Sequence, residues 1–302
     1  MLAVHVRDSS PVGSWRDRGP RSRHWRTVSV SPPALVLLAG LAALLGTNGG
    51  IGGAALLVPA LVGLGIDPAA AAPLGLVAVG GASLAAASRQ LRAGLVHHRL
   101  GLTIELPASA ATVVGALLSV SVSEKLLAAV LAGAAVVGAI SGLARSGVRN
   151  EPSPTFSAET HGEWPGTLGG SYQLADGSVP YAAKRVGPGL VAAAGAGLVA
   201  GLSGVGGGFL KTPTLSELMS VPVRVAAATT SFTLGITAAA GLAVFVAQGR
   251  VEPEPSAAVL LGALLGGTVG AVAQGILPPP VARRLTSVLL LSVAAVVVVQ
   301  TW

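Results

Sequence analysis

The chain contains no cysteine, which excludes disulfides, thiol nucleophiles and cysteine-ligated metal sites. Charge is scarce as well. Asp, Glu, Lys and Arg make up 10% of the 302 residues, against about 25% in a soluble domain. Aromatic residues amount to 3%, so aromatic belts at a membrane surface must be thin. What is abundant is apolar: 52% hydrophobic residues, 42 glycines and a mean hydropathy of +0.74. Long charge-free runs of this kind belong to an all-α polytopic membrane protein, where glycine suits close helix contact in lipid.

The excess of 19 Lys and Arg over 12 Asp and Glu points to nucleic acid only where the cations form a patch. Here six of the nineteen precede residue 31, and the rest sit mainly in short connections, as in a membrane protein. Nucleic acid is therefore not an expected partner. Residues 1–30 read as a disordered, basic, cytoplasmic tail. The apolar run 34–45 passes into Gly46-Thr47-Asn48 without a small-residue cleavage site, so it reads as retained.

Apolar segments long enough to contribute spans of about 20 residues lie at 33–47 with 54–65, then 69–88, 101–121 and 126–144. They resume at 188–202 with 205–218, then 223–247, 256–276 and 284–300. The division is a tail (1–30), a first membrane repeat (31–146), a polar connecting loop (147–186) and a second repeat (187–302). The loop has little apolar periodicity and too few residues to bury a core, and is expected to be mobile.

The two repeats share a phrase. Gly50-Ile51-Gly52-Gly53-Ala54-Ala55-Leu56-Leu57-Val58-Pro59 opens the first, and Gly204-Val205-Gly206-Gly207-Gly208-Phe209-Leu210-Lys211-Thr212-Pro213 the second. Pro68 and Pro222 keep the same spacing. Each glycine in a helix costs about 1 kcal/mol against alanine, so the first helix of each repeat is expected to break there. The expected architecture is about eight transmembrane segments in two duplicated four-helix units with glycine-broken first helices. If each broken segment crosses once, the halves are parallel. The tail, the Arg89–Arg99 connection and the flanks of the central stretch are then cytoplasmic, and Arg283 and Arg284 fall outside. If the broken segments are hairpins instead, the halves are inverted. Lys and Arg favour the first reading.

A broken backbone inside a membrane is tolerated where it is buried in protein or lines a wet cavity. The half-helices after Gly53 and Gly208 would aim free N–H groups at an anion there. The alternative is close packing, with Gly46, Gly50 and Gly53, or Gly204 and Gly208, letting helices approach. Hydroxyls follow in the second repeat: Thr229, Thr230 and Ser231, then Thr233 and Thr237. The matching positions Gly75, Leu76 and Val77 are apolar. Glu105 and Lys211 are the main ionisable candidates in or near spans, and intramembrane charge signals function. Glu105 is the proton-coupling candidate, with an interfacial role as its alternative. His97 and His98 read as loop residues, and Arg224, Arg250, Arg283 and Arg284 as end anchors.

Gly201-Leu202-Ser203-Gly204 has the look of an intramembrane serine protease, but no histidine follows Ser203 to activate it. The glycine runs also lack the strand and acidic partner of a dinucleotide site. No catalytic residue, metal site or cofactor is expected, and an enzyme is not.

The paired G-[IV]-G-G-[AG]-x-L-x-x-P phrase, with Val221-Pro222-Val223-Arg224-Val225-Ala226-Ala227-Ala228-Thr229-Thr230-Ser231-Phe232 and Gly249-Arg250-Val251, resembles the TauE/SafE family of sulfite exporters and permeases across about residues 33–300. The resemblance implies an inner-membrane secondary transporter for sulfite, sulfonates or related organic anions. The substrate-lining positions it implies are Gly52, Gly53, Gly206, Gly207 and Gly208, with Thr229, Thr230 and Ser231; Lys211 adds a positive charge. Ala71-Ala72-Pro73-Leu74-Gly75 departs from the alanine–threonine–serine motif common in the family, so a symmetric site is not expected. The expected partners are the lipid bilayer and a small anion, and a homodimer is compatible with the reading. The rival functions are a passive anion channel and a non-transporting membrane assembly partner.

Overall fold

The structure is a computed structural model describing residues 30–49, 52–144, 162–174 and 177–273, with positions 287–288, 291–292, 294–295 and 299. The N-terminal tail, Gly50, residues 145–161, Arg283 and Arg284 lie outside the described residues. The helices are α1 (Pro32–Gly49), α2 (Ala54–Gly63), α3 (Pro68–Arg92), α4 (His98–Leu118), α5 (Glu124–Ala144), α6 (Val186–Ser203), α7 (Gly208–Pro213), α8 (Val223–Ala247) and α9 (Pro253–Ala273). One π-helical turn, Thr214–Leu218, prolongs α7. Five of these, α3, α4, α6, α8 and α9, are long and apolar enough to cross a bilayer. The protein is a multi-pass helical membrane protein. Leu37, Leu106, Val191 and Leu265 point outward, as side chains bathed in lipid do.

Local chemistry sets the helix starts. Asp67 caps α3 by accepting from the Ala69 amide at 2.9 Å, with Pro68 in the first turn. Pro222 stands at the same place before α8. α3 continues through Arg89 to Arg92, so the connection to α4 is shorter than the Arg89–Arg99 expected.

Contacts fix the directions. α3 and α8 are antiparallel: Arg250, beyond α8, donates to the Ala69 carbonyl at the start of α3, while Ser83 reaches the Ser231 carbonyl at 2.6 Å. α4 is parallel to α8, with His97 at Thr229, Gly101 at Thr233 and Glu105 at Thr237. α6 is parallel to α4, with Gly197 on Ala108 and Gly201 on Thr112. α1 is parallel to α9, with Gly262 on Val36, Gly266 on Gly40 and Gly270 on Leu44.

After each glycine break the chain doubles back. Gly207 lies on Ala196, Met219 lies on Gly189, and the Lys184 amide donates to the Met219 carbonyl at 2.9 Å. α7 and the π-turn therefore return to the end of the bundle where α6 begins. Gly53 on Ala43 marks the same reversal of α2 against α1. The single-crossing reading of the broken segments is thus overturned: they are hairpins, and α1 and α6 start at opposite ends. The Arg89–Arg99 connection consequently lies at the end of the bundle opposite the start of α1.

The turns need glycine. Gly52 and Gly206 both have φ of +82°, and Gly204 (+73°) and Gly207 (+67°) are left-handed too. Gly53 instead is right-handed at −61°, whereas its counterpart Gly207 is left-handed.

The central stretch, expected as a mobile loop without a core, carries a small antiparallel sheet in its described part. Its strands are β1 (Gly162–Glu163), β2 (Gly169–Leu174) and β3 (Gly177–Ala182), in that order, with Tyr172 opposite Val179. Both tyrosines of the chain, Tyr172 and Tyr181, are buried in it with Trp164. Three large rings supply the core that apolar periodicity does not announce.

Where helices meet backbone to backbone, a side chain cannot be added. A Cβ at Gly266 would overlap the Gly40 carbonyl oxygen, whereas one at Gly195 meets nothing within 4 Å. Gly266→Ala is expected to destabilise the protein by about 1–3 kcal/mol, and Gly195→Ala to be neutral or better. Thermal unfolding of the detergent-solubilised chain measures both.

Candidate functional site

The two hairpins approach the middle of the bundle from opposite ends and meet α3. A Cβ on Gly52 would lie 3.8 Å from Val79, and one on Gly206 would overlap the same side chain. Beside this meeting point is a cavity of about 10 Å³, close to the space of a single water. It is lined by Thr47 and Gly52 from the first hairpin, Val79 and Ser83 from α3, and Ser231 and Leu234 from α8.

Ser83 is inserted into the α8 backbone. Its hydroxyl donates to the Ser231 carbonyl at 2.6 Å and accepts from the Gly235 amide at 3.0 Å. Those two groups are the pair that a regular helix would join directly. A side chain in the ladder is a recognised cause of helix bending, and here it sits at the cavity wall.

The predicted site residues separate into two places, divided by α8. On the α3 side, Gly52 and Ser231 line the cavity and Gly206 stands at Val79. Thr230 is fully buried, and its hydroxyl has no partner among the described residues. Gly53 and Gly207 serve close packing, on Ala43 and Ala196, and Gly208 begins α7. On the α4 side, Thr229 accepts from the His97 amide at 3.0 Å. Two turns further, Lys211 donates to Glu105 Oε2 at 2.6 Å and to the Thr237 hydroxyl at 2.6 Å. Thr237 donates in turn to Glu105 Oε1 at 2.5 Å, and Ser109 donates to the same oxygen at 2.7 Å. Glu105 and Lys211 are both buried. Neither snorkels to an interface, and Lys211 in this conformation is committed to the carboxylate rather than free for an anion. Ser203, of the protease-like run, donates to the Val199 carbonyl of its own helix at 2.7 Å.

Sequence reasoning missed Ser83 and the pairing of Glu105 with Lys211. The second was within reach, because two opposite charges in apolar spans have few other ways to be neutralised.

The sheet caps this assembly where α4, α6 and α8 begin. His97 caps α4 by accepting the Leu100 amide on Nδ1 at 3.2 Å, and its Nε2 lies 3.1 Å from the Gly169 carbonyl of β2. That pair of contacts requires the neutral tautomer with its hydrogen on Nε2. Glu163 of β1 accepts from the His98 amide and lies 2.7 Å from His98 Nδ1. At the opposite end Arg250 joins three helices through Ser119, Ala69 and its stacking on Phe245. Burial lowers its guanidinium to about 10, which leaves it charged at neutral pH.

Two outcomes follow from these contacts. Burial holds the His97 imidazole below its ordinary value, against the pull of Glu163 and the Gly169 carbonyl. The unfolded cap therefore takes up protons first, and cap stability falls as pH drops below about 6.5. The Glu163 carboxyl is held below its ordinary value. Burial works against this but is outweighed by the backbone and side-chain hydrogen bonds of His98, the electrostatic pull of His97 and the Arg99 amide, so its contribution is lost only below about pH 4.5. With Trp15, Trp25 and Trp302 replaced by Phe, Trp164 emission should be constant above neutral pH and shift to the red as pH falls below about 6.5. A constant spectrum down to about pH 5 would contradict this. Separately, Lys211→Met or Glu105→Leu each leaves one buried charge unpaired, at a cost of about 3–5 kcal/mol. The double variant should lose less than either single one in denaturant unfolding.

The comparisons agree with this architecture at the level of family. The family model described as sulfite exporter TauE/SafE matches residues 35–297, from within α1 to beyond α9. No curated protein and no solved structure matches the chain. A match over nearly the whole length, on a bundle with paired glycine hairpins meeting at its centre, places the chain in the TauE/SafE sulfite exporter family of membrane transport proteins.

Proposed function

We propose that the protein is a secondary transporter that moves a small sulfur-containing or organic anion, of the sulfite or sulfonate kind, across the plasma or inner membrane. The observation that carries this reading is the meeting of two glycine hairpins, from opposite ends of the bundle, on one side chain, Val79. Scaffolding has no need of two glycine turns brought to a common point beside a hydroxyl-lined cavity. Alternating access does, because each hairpin then closes the path from one end. The equal φ of Gly52 and Gly206, and the pairing of α1 with α9 and α6 with α4, support two duplicated units of inverted orientation.

In this reading the anion binds on the α3 side of α8, next to Gly52, Gly206 and Ser231. The Lys211–Glu105 pair on the other side is the coupling element. A proton on Glu105 removes the negative charge that holds Lys211, and frees α7 from α4. Anion movement and protonation are thereby linked through one hairpin.

In proteoliposomes the protein is expected to take up radiolabelled sulfite, faster when unlabelled sulfite is inside and faster with an inward proton gradient. Glu105→Gln is expected to retain counterflow and lose the response to the gradient. Uptake indifferent to internal sulfite would favour a passive pore. No uptake of sulfite or of simple sulfonates would remove the transporter reading in favour of a membrane assembly partner.

A further inference from the structure

We infer that Gln90 and Thr230 form the recognition subsite for the oxyanion, between α3 and α8 and on the side of the cavity where α6 begins. The inference rests on the transporter reading and adds a residue to it. Gln90 is 4% exposed and Thr230 is 0% exposed. Both amide atoms of Gln90 and the hydroxyl of Thr230 are buried without a partner among the described residues. A polar group buried in that state has given up its water without a replacement partner, and leucine or valine in the same space would give up nothing of the kind.

The two stand toward the same end of the α3–α8 pair. Gln90 follows Ser83 by two helical turns on α3, so it shares the face that Ser83 presents to α8. Thr230 precedes the cavity-lining Leu234 by one turn on α8. Since Ser83 bonds α8 between Ser231 and Gly235 and the helices are antiparallel, both residues lie beyond the cavity in the same direction. Side chains tilt toward the N-terminus of their own helix. In antiparallel helices those tilts are opposed, so Gln90 leans back toward the cavity and Thr230 leans toward the level of Gln90.

The chemistry suits an anion that must be released again. Gln90 offers two N–H donors and Thr230 one O–H donor, enough for the oxygens of a sulfite or sulfonate group. Neither carries a charge, so no buried ion is left behind when the ligand departs. The Gln90 carbonyl oxygen accepts from a protonated oxygen of the ligand or from its water.

The test exploits the cost of an unpartnered group. Gln90→Leu and Thr230→Val are made in the full chain, and thermal unfolding in detergent is followed with and without millimolar sodium sulfite. Without sulfite, both variants should melt at or above the wild-type temperature. With sulfite, the wild-type rise in melting temperature should be lost, and KM for sulfite uptake in proteoliposomes should increase at least tenfold. Should Gln90→Leu fail to fold, Thr230→Val carries the same test, because it exchanges one hydroxyl for a methyl group. Variants that retain the wild-type sulfite shift and KM would overturn the subsite and leave the transporter reading standing. A wild-type chain that neither shifts with sulfite nor transports it would overturn both.

Discussion

With lipid as the solvent, helices gain little from hiding apolar side chains and cohere where their backbones can touch. In this chain glycine makes that contact along two crossings. Gly262, Gly266 and Gly270 place α9 on α1, and Gly197, Gly201 and Gly115 join α6 to α4. Each crossing pairs an early element of one half with a later element of the other. Neither half therefore closes a bundle alone. The exchange leaves α3 and α8 facing each other at the centre, with a hairpin tucked beside each. The small cavity sits on one side of that central pair and the Glu105–Lys211 pair on the other.

The charge buried beside α8 calls for a different account. Replacing a buried ion pair by apolar residues is often neutral or stabilising, so stability alone gives no reason to keep Lys211 and Glu105. What the pair does is tie three elements, α4, α7 and α8, through one carboxylate, one ammonium and one hydroxyl. The stripe of Thr229, Thr233 and Thr237 against His97, Gly101 and Glu105 sets the register in which this happens. Under the transporter reading, such a tie is one that can be undone without rearranging the apolar core around it.

Much of this was legible before any coordinates. Glycine and proline at matching positions located both breaks to within a residue or two, because no other residue tolerates φ near +80° so readily. The starts of α3 and α8 were marked by Pro68 and Pro222. What hydropathy does not carry is the direction of the chain after a break, since a hairpin and a single crossing have the same apolar content. That was decided by tertiary contacts such as Met219 on Gly189, which no local pattern encodes. Counting Lys and Arg then favoured the wrong choice, because cations flank both ends of an inverted pair. Gln90 was hidden for a simpler reason: it lies between Arg89 and Arg92, and only the extension of α3 buries it. The sheet was missed because three aromatic rings, rather than a periodic pattern, make its core.

The two hairpins share a turn but not a chemistry, and the difference bears on how the molecule would work. Lys211 corresponds to Leu57, and Glu105 to Val259, when the repeats are superposed on Gly52 and Gly206; both of those apolar residues are fully buried. The first hairpin, α1 with α2, contains no charged residue, while the second carries a charge pair to α4. In an inverted repeat the hairpins close opposite ends of one path. Under the transporter reading, protonation then acts on one gate only. A gate that responds at a single end makes the two ends kinetically unequal without any change to the site where the two halves meet, while the gradients across the membrane set the direction of net movement.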